Sequence, residues 1–408
     1  MIREFTIENF KSIESLTLPL GRVTVLIGEN GAGKSNVLEA ISYFTAAVHE
    51  KLDSEFLFAR GVRVVKAEQT LSGFNPSPKA WRTHAFRLTA TGKSASSKVD
   101  ILVSDHGKTG GEFESWMMLS GPPKEDQVIK TFSLDAELSN RIDALKDNYK
   151  PTRSSSLPDD PKELARYFIS RMQQSRRDRD NAKKKGLKLF TSAFLTYSPE
   201  NTALRTFEAE GQIRPLGVRG EGLFKLVQHF AEHQPAKFKL LRKELRLFDW
   251  FEDFAIPKRL GIGESRLEIK DRFLAAKRLL DQRSANEGFL FLLFYLCLFL
   301  SPQTPKFFAI DNIDASLNPR LCAEMMRRLV ALAKQEDKQV IITTHNPAIL
   351  DGLDLTDKEQ LLYAVQRDSK GRTIAQRIPA PKPQRGEPAL KLSHAYLRGL
   401  LGGVPKNF

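Results

Sequence analysis

The chain of 408 residues is poor in cysteine: Cys297 and Cys322 are its two thiols. Neither has a second cysteine or a histidine at metal-ligand spacing, so no zinc module is expected, and isolated thiols suit a reducing compartment. It also lacks an apolar run long enough for a bilayer. The longest, FLFLLFYLCLFL, covers the twelve residues Phe289–Leu300, where about twenty are needed. It is expected to be a buried core helix, with Cys297 as a small apolar side chain inside it. The opening MIREFTIENF is charged and alternating, unlike a secretory leader, so a cytoplasmic location and no membrane partner are expected. Sustained heptads, internal repeats and long low-complexity tracts are missing, which argues against a long coiled coil or a solenoid. Acidic residues are in deficit, 49 against 63 Lys and Arg, for a net charge of +14. That balance suits a polyanion, nucleic acid before anionic membrane, though a basic protein with no such partner has the same balance.

What is present is enough apolar sequence (41%) for a sizeable core. Arg3–Phe10 and Ser15–Leu20 alternate as half-buried strands do, and VTVLI at Val23–Ile27 is continuous, as in a strand covered on both faces. KSNVLEAISYF then puts Val37, Leu38, Ile41 and Phe44 on one helical face. His84–Ser104 reads as two strands around a Gly/Ser turn, with Phe113–Leu119 a candidate third. From about Ser133 to Phe190 the pattern is helical and charged, interrupted by the loop KPTRSSSLPDDP. Leu189–Ser198 returns to the core. Lys306–Ile310 and Lys338–His345 read as strands flanking a helix over Pro319–Lys334, and such alternation predicts a parallel α/β sheet. The tail is expected to hold a short helix before a glycine-rich end.

Between the continuous strand and the first helix lies G-E-N-G-A-G-K-S, Gly28–Ser35. Glycines let the backbone curl so that N–H groups converge on phosphate, and the helix adds its positive end. The expected ligand is ATP with Mg²⁺. Asn30, Gly31 and Gly33 belong to the cradle, Lys34 meets the β- and γ-phosphates, Ser35 supplies a hydroxyl to Mg²⁺, and Asn36 extends the polar lip. FFAIDN ends an apolar strand on Asp311, well placed for the Mg²⁺ shell.

Further along come SANEGFLFLLFYL, NIDASLNPRL and IITTHNP. In this order, after an opening FTIENFKSIESLTL and the phosphate loop, they resemble the ABC-type ATPase heads of the SMC, RecF and OLD families over roughly residues 1–44 and 284–351. The resemblance implies an α/β P-loop NTPase of ABC type: a mixed or parallel sheet with an antiparallel β lobe and a helical insertion. It implies an ATPase that dimerises, or forms a higher even oligomer, through ATP. Asn286-Glu287-Gly288 match the signature motif, which reaches the γ-phosphate of the other subunit, with Asn286 where serine is usual. Ser316-Leu317-Asn318-Pro319 match the D-loop, and His345 the switch histidine that senses the γ-phosphate. The family usually carries glutamate after the Walker B aspartate to polarise the attacking water; this chain has Asn312, which can orient a water but not take its proton. Slow hydrolysis is therefore expected, with Asp314 a possible substitute.

Lys34 and Asp311 are 277 residues apart, more than a compact head needs. The expected division is 1–130 and 191–408 as two parts of one head, with 131–190 a basic helical insertion. Arg171–Lys188 holds eight basic residues and two acidic. It reads either as a solvated face or as a contact for nucleic-acid backbone or an acidic partner. Asp351, Asp354 and Asp357 read as loop and helix start rather than a nuclease metal site. Three readings follow from the resemblance. The first is an ATPase subunit of an anti-phage or restriction-like system acting with a separate effector. The others are a RecF-like DNA-repair ATPase and an ATP-held scaffold with little turnover.

Overall fold

The computed structural model describes residues 1–49, 51–74, 85–93, 96–104, 115–118, 193–206, 212–257, 267–275, 278–315, 317–381 and 390–402. The expected insertion at 131–190, with its basic stretch, lies outside them.

The chain opens with β1 (Ile2–Phe10), β2 (Ile13–Pro19) and β3 (Val23–Ile27), then α1 (Lys34–Val48) and α2 (Ser54–Phe58). Next come β4 (Ala85–Gly92), β5 (Ser96–Ser104), β6 (Ser115–Met118), β7 (Thr196–Tyr197) and α3 (Asn201–Leu204). They are followed by α4 (Leu223–His233), α5 (Pro235–Leu245), a β8 (Phe251–Ala255) and β9 (Glu268–Asp271) hairpin, and α6 (Glu287–Leu300). Then come β10 (Phe307–Ile310), α7 (Pro319–Gln335), β11 (Gln339–Thr344), β12 (Gln360–Arg367), β13 (Thr373–Ile378) and α8 (Leu392–Leu397).

Two sheets organise these elements. The first is antiparallel in the order β2-β1-β4-β5-β6, and the second runs β13-β12-β3-β11-β10-β7. In the second sheet β3 lies parallel between β11 and β12, with Val25 opposite both Ile342 and Leu362, and β13 alone is antiparallel. This is the mixed sheet with an antiparallel lobe that the sequence led us to expect.

Side-chain alternation divides the core. Leu26, Ala309, Ile341, Tyr363 and Val365 face the first sheet and α1. Val25, Ile27, Ile310, Ile342, Leu362 and Ala364 face α6 and α7. Strands covered on both faces cannot alternate apolar with polar, which is why VTVLI and QVIITT read as continuous runs. Twelve of the fifteen residues of α1 are buried, because it is packed between the sheets rather than laid on a surface. Its buried carboxylate, Glu39, is satisfied by Lys11 (2.5 Å) and Arg63 (2.9 Å). The apolar run becomes α6, with Gly288–Leu300 all buried, Cys297 among them. α6 is apolar all round because α3, α4, α5 and α7 surround it.

Two buried polar groups tie the framework together. Gln339 accepts from Ile2 N (2.9 Å) and donates to Ile2 O (2.7 Å) and Gly21 O (2.8 Å), joining the two sheets. Lys338 donates to Ser301 O, Thr304 O, Thr304 Oγ1 and Pro305 O at 2.8–3.2 Å, closing the turn between α6 and β10. Lys338→Met leaves those oxygens without a donor in a buried site. It is expected to cost about 2–3 kcal/mol in urea unfolding.

Candidate nucleotide-binding site

The loop Gly28–Ser35 carries the chain from β3 into α1, and close neighbours dictate its glycines. A Cβ on Gly28 would lie 2.0 Å from Val365 O of β12. Gly33 has φ +106° and would bring a Cβ within 2.1 Å of Thr373 Oγ1. The β12–β13 hairpin holds the loop from outside: Arg367 Nε donates to Gly31 O (2.9 Å) and Thr373 Oγ1 to Ala32 O (2.8 Å). Gly33 caps α1 with no side-chain bond, and the first turn has no acid. The free N–H groups and the positive helix end therefore remain available to an anion.

Lys34 is buried, and its ammonium donates to Gly28 O and Glu29 O, both at 2.9 Å. Burial lowers its pKa to about 8, against the pull of Asp311, Asp314 and Glu29. His345 Nδ1 stands 3.5 Å from Lys34 Nζ. Burial, then the Lys34 charge, hold the imidazole below its usual value, so it is neutral at neutral pH.

The carboxylates are set by two consecutive threonines at the end of β11. Asp311 Oδ1 accepts from Thr343 Oγ1, and Oδ2 accepts from Ser35 Oγ at 3.1 Å. Thr343 Oγ1 also accepts from Asn312 N (2.9 Å). Asp314 Oδ1 accepts from Thr344 Oγ1 (2.5 Å), whose oxygen takes Asn346 N (3.0 Å). Asn312 is exposed with φ +54°, a left-handed conformation that asparagine tolerates better than most residues. Across the loop, Asn36 Nδ2 donates to Ser12 Oγ (2.6 Å), which pairs with Thr373 Oγ1 (2.7 Å).

These residues fit a magnesium nucleotide. Ser35 and Asp311 put two hard oxygens side by side, as Mg²⁺ prefers. The buried Lys34 ammonium, in no ion pair among the described residues, suits a phosphate. The structure thus gathers Asn30, Gly31, Gly33, Lys34, Ser35, Asn36, Asp311, Asn312 and His345 at the ends of β3, β10 and β11. It does not bring Asn286, Glu287 and Gly288 there. They stand at the start of α6, with Asn286 exposed and its Oδ1 accepting from Phe289 N (3.4 Å). Among the described residues no hydrogen bond or ion pair joins them to the phosphate loop. Ser316 lies outside the described residues. Asp351 accepts from Ser393 N and Oγ at the start of α8, and Asp354 and Asp357 close turns, in keeping with the loop reading.

Sequence reasoning had no role for Thr373 and Arg367, and gave Thr343 and Thr344 none beyond flanking the histidine. QRDSKGRT, with Gly371 at φ +80°, is a hairpin-turn signal that would have found β12 and β13.

A family model described as "AAA domain, putative AbiEii toxin, Type IV TA system" matches residues 23–351. The chain belongs to that family. It is an ABC-type ATPase head of the SMC/RecF/OLD-like group. An OLD nuclease of Thermus scotoductus (strain ATCC 700910 / SA-01) is 22% identical over 99% of this chain and 68% of that protein. The DNA replication and repair protein RecF of Anaeromyxobacter dehalogenans (strain 2CP-C) is 35% identical over 91 residues, 22% of this chain and 24% of that protein. Among solved structures, the SMC head domain from Thermotoga maritima is 15% identical with a TM-score of 0.43, covering 93% of this chain and 99% of that one. A Pyrococcus furiosus Smc head bound to the C-terminal domain of ScpA is 14% identical with a TM-score of 0.47, covering 98% and 99%. Family membership supports nucleotide use and ATP hydrolysis in general. No described helix is long and apolar enough to cross a membrane.

Proposed function

We propose that this AAA-family ATPase is a switch in which two copies close around ATP and Mg²⁺. Each copy holds the phosphates on its own Gly28–Ser35 loop and offers Asn286–Gly288 and Ser316 to the nucleotide of the other. One observation carries this reading. The groups that suit phosphate and Mg²⁺ are gathered around Lys34, while the motif expected to touch the γ-phosphate stands at the start of α6 with Asn286 exposed, and among the described residues no hydrogen bond or ion pair joins it to them. A second copy supplies what one copy lacks.

On this reading Lys34 neutralises the β- and γ-phosphates, and Ser35 and Asp311 hold Mg²⁺, which offsets charge on the transferring phosphoryl group. The Asp314 carboxylate orients water for attack on the γ-phosphorus, with ADP as leaving group. His345, neutral beside Lys34, reports whether the γ-phosphate is present.

Closure then acts on a separate effector, in a defence or restriction-like setting, with DNA as a further partner. The description of the matched family, the OLD nuclease relative and the net positive charge support that assignment. The RecF stretch favours a second reading, a DNA-repair ATPase. Duplex DNA that raises turnover with no effector present would support it.

The test of the two-copy site is subunit mixing. Lys34→Ala and Asn286→Ala should each be inactive alone. An equimolar mixture should regain about one quarter of wild-type turnover, because half of randomly paired dimers carry one intact site of two. A mixture as inactive as its components would sink the reading.

A further inference from the structure

Arg205 follows α3, and its guanidinium is spent almost wholly on one loop. Nη1 donates to Gln282 O (2.5 Å) and Arg283 O (2.7 Å), Nη2 to Ala285 O (3.0 Å) and Nε to Asn201 Oδ1 (2.9 Å). Among the described residues it makes no ion pair. Three of the four acceptors are backbone carbonyls of the segment that leads into Asn286. The planar fork of arginine can meet several diverging carbonyls at fixed angles; a lysine, a single point of three donors, cannot.

The consequence is orientation. In a trans peptide the C=O and the N–H point in opposite directions. Drawing Ala285 O onto Arg205 therefore turns the Asn286 N–H away from it. Among the described residues no acceptor takes that N–H. The rest of the loop is held by two of its own side chains: Asp281 Oδ1 accepts from Arg283 N (3.0 Å), Ser284 N (2.8 Å) and Ser284 Oγ (2.6 Å), and Gln282 Oε1 accepts from Leu267 N (2.9 Å). The loop is pre-shaped, with its remaining donors at the exposed start of α6.

We infer that Arg205 is a positioning residue for Asn286–Gly288, and so governs hydrolysis of the nucleotide held by a second copy rather than by its own chain. This rests on the two-copy reading above. Arg205 meets no residue of the phosphate loop, so its loss should leave nucleotide binding by the same chain intact. It should lower turnover by about 10- to 100-fold, the scale expected when a contacting group is displaced by an ångström.

The experiment is subunit mixing with Arg205→Ala, and with Arg205→Lys carrying the same test should the alanine variant not fold. Either variant alone should bind a fluorescent ATP analogue within about twofold of wild type, because Lys34 is untouched. Mixed with Lys34→Ala, it should regain about one quarter of wild-type turnover, since the heterodimer has one site with both Lys34 and an ordered loop. Mixed with Asn286→Ala it should regain nothing, because both variants then spoil the same half of each site. Three results overturn the inference. One is loss of analogue binding by the folded Arg205 variant. Another is no regain with Lys34→Ala while Lys34→Ala and Asn286→Ala do complement one another. The third is failure of that control pair as well, which removes the two-copy reading and the inference together.

Discussion

Lys34→Ala is expected to lower ATP turnover by at least about a hundredfold, the scale set by removing one preorganised donor from a developing oxyanion. The reason lies in how the ammonium is held. It is buried on two carbonyls of its own loop, and burial has lowered its pKa to about 8. Water therefore does little to screen it, and a phosphate beside it would interact strongly. The same burial gives the site a pH signature. In the free protein Lys34 loses its proton as pH rises through about 8, whereas a bound phosphate favours the charged form and raises that pKa. Binding above pH 8 must then take up a proton. Affinity should be constant below pH 8 and fall by up to about tenfold per pH unit above it. Calorimetric titration with a non-hydrolysable ATP analogue between pH 7 and 9.5 reads both the slope and the proton uptake. A flat wild-type profile, or an Lys34→Ala profile that keeps the slope, would show that Lys34 does not meet the phosphates.

The second large effect is expected at Asp314. Its Oδ1 is occupied by Thr344, and the carboxylate stands close enough to Lys34 and His345 to act on the charge of both. Asn312, at the position where the family resemblance led us to expect glutamate, is exposed and has no carboxylate to offer. Asp314→Asn should therefore lower turnover by about 10²- to 10⁴-fold, the range for losing a positioned proton acceptor. Analogue binding should change little. Asn312→Glu in the Asp314→Asn background should recover part of the loss, less the roughly 1 kcal/mol cost of holding glutamate in a left-handed backbone. If Asp314→Asn turns over normally while Asn312→Glu alone accelerates the protein tenfold or more, the carboxylate is simply missing from the wild type. The chain is then an ATP-held scaffold.

Much of the site was legible because its signals are local. The phosphate loop needs glycines, a lysine and a hydroxyl within eight residues, between a strand and a helix, and each can be read without knowing what lies nearby. The same holds for the apolar run of α6 and for the acid that ends β10. The hairpin of β12 and β13 was missed because β12, with six of its eight residues buried, shows no strand alternation, and the turn after it carries charge.

The sequence by itself determined that this chain has a phosphate loop followed by an Asp strand and a His strand, and the order of those elements was enough for the family. Tertiary structure alone decided which groups hold them in working geometry. Thr343 reaches Asp311 across 32 residues, Thr373 reaches Ala32 across 341 and Arg205 reaches Ala285 across 80. A hydroxyl or guanidinium that orients another group has no required neighbours in the chain. Its partner is chosen by the pairing of β3 with β11 and β12 and by the packing of α6. Such residues therefore leave no local pattern, and they become visible when the sheet is assembled.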